Sequence, residues 1–173
     1  MASWNVEWIK AREYILLNSS STPVRCSPSS KPNISWLMSR MEELEVPIAY
    51  TNELEELYFT RIGSDHGEYC SGKIKIASDQ KTKDIMDKVL VHELAHHVDD
   101  QEDITSDDKL IEEKKTHGKY MPDRYARKNI YEYFAVGFEI YYLGTDIQKK
   151  KMKRINPRLY KLIHRVHKRF SRK

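Results

Sequence analysis

The run His92-Glu93-Leu94-Ala95-His96 constrains this chain more than any other segment, because it lies inside a helical period. Ile85, Val89 and Leu90 recur with His92, Glu93 and His96 on adjoining faces, which predicts one helix from Asp84 to about Asp99. Residues four apart lie on one helix face about a turn away, so both imidazoles can reach a single ion. Glu93 projects beside them, close enough to take a proton from water on that ion without binding it. Imidazole and carboxylate ligands around an open position are the donor set of a hydrolytic zinc site. The expectation is a Zn2+ ion held by His92 and His96, with Glu93 as the catalytic base of a zinc metallopeptidase. The competing explanation is an accidental pair of histidines on a solvated helix. His97 points off the shared face and is expected to be a bystander or to support the ligands from behind. Asp99 either orients a ligand histidine or belongs to a solvated acidic helix end.

The rest of the chain predicts an α+β domain, mainly helical, with a small sheet of about three strands. Trp4, Trp8, Ala11 and Ile15 fall at helical spacing, and Ser19 to Pro32, rich in serine and proline, reads as a linker or surface loop. A helix follows, capped by Asn33 or Ser35, with Trp36, Met38, Met41 and Leu44 on its apolar face. Strands are expected at Val46–Thr51, where Pro47 marks a strand start or an edge, at Leu57–Ile62 and at Gly72–Ala77, with a loop through GSDHG. Gln101 to Arg124 is polar and reads as a long connection with a short turn at Leu110 and Ile111. Lys128–Leu143 is the next helix, ended by Gly144, and a last helix starts at Pro157 with Leu159, Ile163, Val166 and Phe170 on one face.

Two histidines need a third protein ligand. The extended pattern HExxHxxGxxH is excluded, since Asp99 and Glu102 stand where Gly and His are required. An aspartate within Gly144-Thr145-Asp146 is rejected, because that segment sits at a helix end and the match is too short. A glutamate on the following helix remains, either Glu132 or Glu139, which lie seven apart on nearly one face.

HELAHHVDD, followed by Tyr125 and then Tyr131-Glu132-Tyr133-Phe134-Ala135, resembles the catalytic domain of anthrax lethal factor and the related Pro-Pro endopeptidases. The resemblance implies a zincin-like fold with Glu132 as the third zinc ligand and Tyr125 as the hydrogen-bond donor to the substrate oxyanion. It extends from Leu57 to Phe170, because GKIKIA is similar to the strand beside the cleft and Asn156-Pro157-Arg158-Leu159-Tyr160 to the closing helix. Where the family often has a second glutamate four residues after the ligand, this chain has Val136, and Glu139 could substitute from the next turn. The expected division of the chain is an N-terminal helix and Ser/Pro-rich linker over 1–34 and a zincin-like metallopeptidase domain with a basic C-terminal helix over 35–173. The implied activity is peptide-bond hydrolysis in a peptide or protein substrate, with the backbone of GKIKIA adding a strand to it.

Length and composition bound the alternatives. A chain of 173 residues suits one core. No apolar run approaches the roughly 18 residues a membrane span requires. Glu7, Lys10, Arg12 and Glu13 interrupt any secretory signal in the first 18 positions, so the expected compartment is the cytoplasm, with a non-standard export route left open. Cys26 and Cys70 form no CxxC pair and read as ordinary thiols. Net charge is +4, yet Ile147 to Lys173 contains no Asp or Glu. That stretch is first a solvated helix face, and secondly a surface for nucleic acid, acidic lipid or an acidic protein. The alternative function is therefore a nucleic-acid-associated regulator or sensor on a metallopeptidase-like fold. A structural zinc protein, with a fourth protein ligand in place of water, is the third.

Overall fold

Ser71 and Gly72 both take positive φ, 45° and 81°, the backbone of a tight type I′ hairpin. Glycine reaches that region without strain. The turn joins β5 (Gly67–Cys70) to β6 (Lys73–Ala77) antiparallel, with Gly67 opposite Ile76 and Tyr69 opposite Ile74. The structure, a computed structural model, describes residues 6–8, 14–17, 23–26, 31–60, 66–77 and 85–172. It divides into two units, Met1–His97 and Val98–Lys173, and the division falls within one helix, α2 (Met86–Glu102).

In the first unit the hairpin belongs to a six-stranded sheet with β1 (Val6–Trp8), β2 (Tyr14–Leu17), β3 (Pro23–Cys26) and β4 (Glu56–Thr60), in the order β1-β2-β3-β4-β6-β5. The pairs β3–β4 and β4–β6 are parallel and the others antiparallel. Helix α1 (Lys31–Glu43) lies between β3 and β4 and buries Ile34, Leu37, Met38 and Met41, a single stripe at helical spacing. Strand β6 buries Ile74, Ile76 and Ala77. It leaves Lys73 and Lys75 exposed, paired with Glu55 at 3.4 Å and Glu68 at 3.1 Å. Each buried Ile contributes about 1.5–3 kcal/mol, whereas exposed ion pairs contribute about 0–1 kcal/mol. The alternation of β6, not its ion pairs, therefore fixes which face is inward.

Several expectations change here. Trp4 and Ala11 lie outside the described residues, but Val6–Trp8 and Tyr14–Leu17 are strands, with Trp8 opposite Ile15, and not a helix. Over so short a window helical and alternating spacing overlap, and the cross-strand ladder decides. The Ser/Pro-rich stretch contains β3, which opens on Pro23 as a strand can. It also contains the start of α1 at Lys31, ahead of the expected cap. The rest of that stretch lies outside the described residues, as do the first three positions of GSDHG. Ile48–Thr51 is a buried 3-10 turn rather than a strand. The expected small sheet is present and is extended by the three N-terminal strands.

The second unit is helical: α3 (Asp108–His117), α4 (Ile130–Leu143), α5 (Asp146–Ile155) and α6 (Pro157–Phe170), with 3-10 turns at Ile104–Ser106, Gly118–Tyr120 and Arg124–Arg127. Helix α4 is buried from Tyr133 to Ile140, as an apolar helix at the centre of a bundle must be. Gly137 lets α6 approach, since a Cβ there would lie 2.6 Å from Leu159 Cδ2. Helix α3 replaces most of the expected connection. It buries only Leu110 and Glu113, too few positions to show a period. Among the described residues no helix is long and apolar enough to cross a membrane.

Glu113 explains the Asn-Pro-Arg-Leu-Tyr motif. Pro157 has no N–H, and the next two amides of α6 donate to the Glu113 carboxylate, Arg158 N at 2.7 Å and Leu159 N at 2.9 Å. Tyr133 donates its hydroxyl to the same carboxylate at 3.3 Å and accepts Asn156 Nδ2 at 2.6 Å. Burial pushes the Tyr133 phenol well above its ordinary value, so it remains a donor. Arg158 pairs with Asp107, which also caps α3 by accepting Leu110 N at 2.8 Å. Glu113→Ala is expected to lower unfolding stability by about 2–4 kcal/mol, since it leaves two helix amides and a buried hydroxyl unsatisfied. Denaturant midpoints check this, and an unchanged midpoint would remove Glu113 from the role of cap.

Candidate metal centre

Helix α2 brings the two motif histidines together as the four-residue spacing requires. Their Nε2 atoms lie 3.2 Å apart and their rings meet edge-on at 76°. Two donors of a tetrahedral zinc site with bonds of about 2.0–2.1 Å are separated by roughly 3.3 Å, so the pair fits such an ion. His96 is held down to a pKa of about 4, first by burial and then by the neighbouring His92. It is therefore neutral near pH 7, with a lone pair to give.

Glu93 is only 8% exposed and lies against the hairpin. A Cβ added to Gly67 would lie 2.8 Å from Glu93 Oε1 and 2.4 Å from Val89 Cγ1, so only glycine lets β5 pass this close to α2. His97 joins the same elements from the other side. Its Nε2 lies 2.9 Å from the Asn52 carbonyl, which can only accept, so Nε2 carries the proton. Nδ1 then accepts from the Tyr69 hydroxyl at 3.3 Å, and that oxygen accepts Gly72 N–H at 3.1 Å. His97 is thus a buried tie between α2 and the hairpin turn, away from the shared face as its position predicts. Sequence reasoning missed the hairpin, although the Ser71-Gly72 pair was a signal for it.

On α4, the Asn129 side chain accepts Glu132 N at 2.8 Å, which starts the helix and fixes Glu132 in its first turn. His92, His96 and Glu132 form a group that could hold a metal ion, each offering one ligand atom and all of these within 4.8 Å of one another. This is the set that the resemblance implied. Glu139 is buried one turn beyond Val136, itself packed in the apolar interior of α4. Asp99 spends both oxygens on Thr105, accepting its N–H and its hydroxyl at 2.8 Å each. Burial, the larger effect, raises its pKa. Asp99 therefore closes the end of α2 and is neither a solvated end nor, by these contacts, an orienting group for a ligand.

Tyr125 lies in the 3-10 turn at Arg124–Arg127, capped by Asp123, which accepts Tyr125 N at 2.8 Å. The residue is 43% exposed, with Lys128 Nζ 3.4 Å from the ring centroid. One expectation about the sheet is corrected. Strand β6 is flanked on both sides, by β4 and β5, so it cannot take on another strand. Among the described residues the edge beside α2 is β5.

An α+β chain carrying a helix-borne His-His-Glu group of this kind falls in a definable class. The family described as "Anthrax toxin lethal factor, N- and C-terminal domain" matches residues 42–166, and the chain belongs to it. The match begins before the Leu57 expected from the sequence and ends close to the expected Phe170. A search of curated proteins finds no match.

Proposed function

We propose that this chain is a zinc-dependent endopeptidase with Glu93 as general base and then general acid. The observation that carries the reading is the convergence of His92 and His96 on one point, in one group with Glu132. Membership of the lethal factor family supports it. An ion held by these three residues would supply Lewis acidity, bringing the pKa of a water to about 7. Glu93 would take that proton on its carboxylate and return it to the leaving amine. Its burial favours proton exchange with a neighbouring group over exchange with solvent. The Tyr125 hydroxyl would donate to the oxyanion that develops on the substrate carbonyl. The open edge of β5 would hold an extended substrate through its main-chain groups.

Metal analysis of the purified chain, joined to digestion of a peptide library, tests the proposal. One zinc per chain is expected, with cleavage that chelation abolishes and added zinc restores. Full zinc occupancy without cleavage of any library member would sink it.

Gly67 offers a separate check. Gly67→Ala is expected to push the Glu93 carboxylate aside and lower turnover by about 10–100-fold, while zinc content stays at wild-type level. Turnover within a factor of two of wild type would show that the close approach has no bearing on Glu93.

A further inference from the structure

Helices α5 and α6 bury their apolar residues and turn cations outward. On α5 the exposed stripe is Ile147, Lys150, Lys151 and Arg154, at intervals of three and four. On α6 it is Lys161, Arg165 and Lys168. Two other cations of α6 have acidic partners, Arg158 with Asp107 and Arg169 with Glu102. None of these six cations has one among the described residues. No acid occurs from Ile147 onward that could neutralise them locally. The two helices pack on each other, and Lys153 of α5 sits 5.4 Å over the Tyr160 ring of α6. Unneutralised single-sign stripes on two packed helices disfavour the compact state by self-repulsion and attract a polyanion.

We infer that this face binds the phosphate backbone of double-stranded nucleic acid without reading its sequence. A lipid surface fits less well, because a helix lying in a membrane interface needs a free apolar face. Here Met152 of α5 and Leu159, Leu162, Ile163, Val166 and Phe170 of α6 are buried, and Ile147, 79% exposed, is the one large apolar residue on the stripe. The spacing suits phosphates. Lys161 to Lys168 rises about 10 Å along the helix axis, which passes roughly three phosphates of one strand. Apart from Ile147 the stripes carry only Lys and Arg, whose contacts to phosphate oxygens position the duplex and carry no sequence information.

The test is fluorescence anisotropy of a labelled 20-base-pair duplex with the full chain over a salt series. Neutralising about three to six phosphates predicts a log–log salt slope of roughly −3 to −5 and a loss of about 10²–10³-fold in affinity from 50 to 200 mM salt. K150E/K151E/R154E and K161E/R165E/K168E should each weaken binding at least about 10-fold with unchanged circular dichroism. The charge-matched K109E/K115E/K119E should stay near wild type. Absence of duplex binding at 50 mM salt overturns the inference, as does binding that all three sets weaken equally. Binding to phosphatidylserine vesicles without binding to duplex also overturns it, and would assign the face to an anionic membrane.

Discussion

Glu93→Gln is expected to abolish peptide hydrolysis to the limit of about 10²–10⁴-fold that one acid–base group supplies, while leaving one zinc per chain. Glutamine keeps the shape that fits beneath Gly67, so the packing of α2 on the hairpin is preserved. It cannot take up a proton at neutral pH, so only the chemical step is removed. Zinc content by mass spectrometry and kcat with a library-derived peptide separate the two. If turnover survived with zinc bound, another group would be the base, and the peptidase mechanism proposed for Glu93 would fail.

Glu132→Ala is expected to strip the metal. Apparent zinc binding free energies in four-ligand sites are about 10–16 kcal/mol, or roughly 3–4 kcal/mol per ligand, so losing one costs about 10²–10³-fold in affinity. Zinc per chain after dialysis should fall well below one, and activity should return only at high added zinc. Glu139→Ala is the comparison, because it lies on the same helix and is also buried. Zinc retained in Glu132→Ala but lost in Glu139→Ala would move the third ligand about two turns along α4. Asn129 gives the geometry a reason, since its cap fixes where α4 begins and so where Glu132 stands.

The helices that carry the group were legible because each is long and has a strong apolar period. Helix α2 was expected to about Asp99 and runs to Glu102, while α4 and α6 start within two residues of their expected positions or at them. What escaped was held together by polar chemistry. Helix α3 packs through a buried carboxylate, Glu113, which an apolar pattern cannot reveal. Helix α5 shows one buried apolar residue, Met152, although its Thr145–Gln148 capping box was readable. Strands β1 and β2 are too short for spacing to distinguish from a helix. The location of Glu132 rested on a family likeness; residue spacing alone left it level with Glu139.

The Ser71-Gly72 turn sets a count. With two residues in the loop, Gly67 stands opposite Ile76. Slide β5 by a single position and either His66 or Glu68 takes that station, with every side chain of the strand reversed. A bulky or charged group would then press on the carboxylate of Glu93 where a bare backbone now passes. The length of a surface loop in this way sets the room left for the carboxylate of the proposed base, and an insertion there is expected to displace Glu93 without replacing any residue of the proposed site.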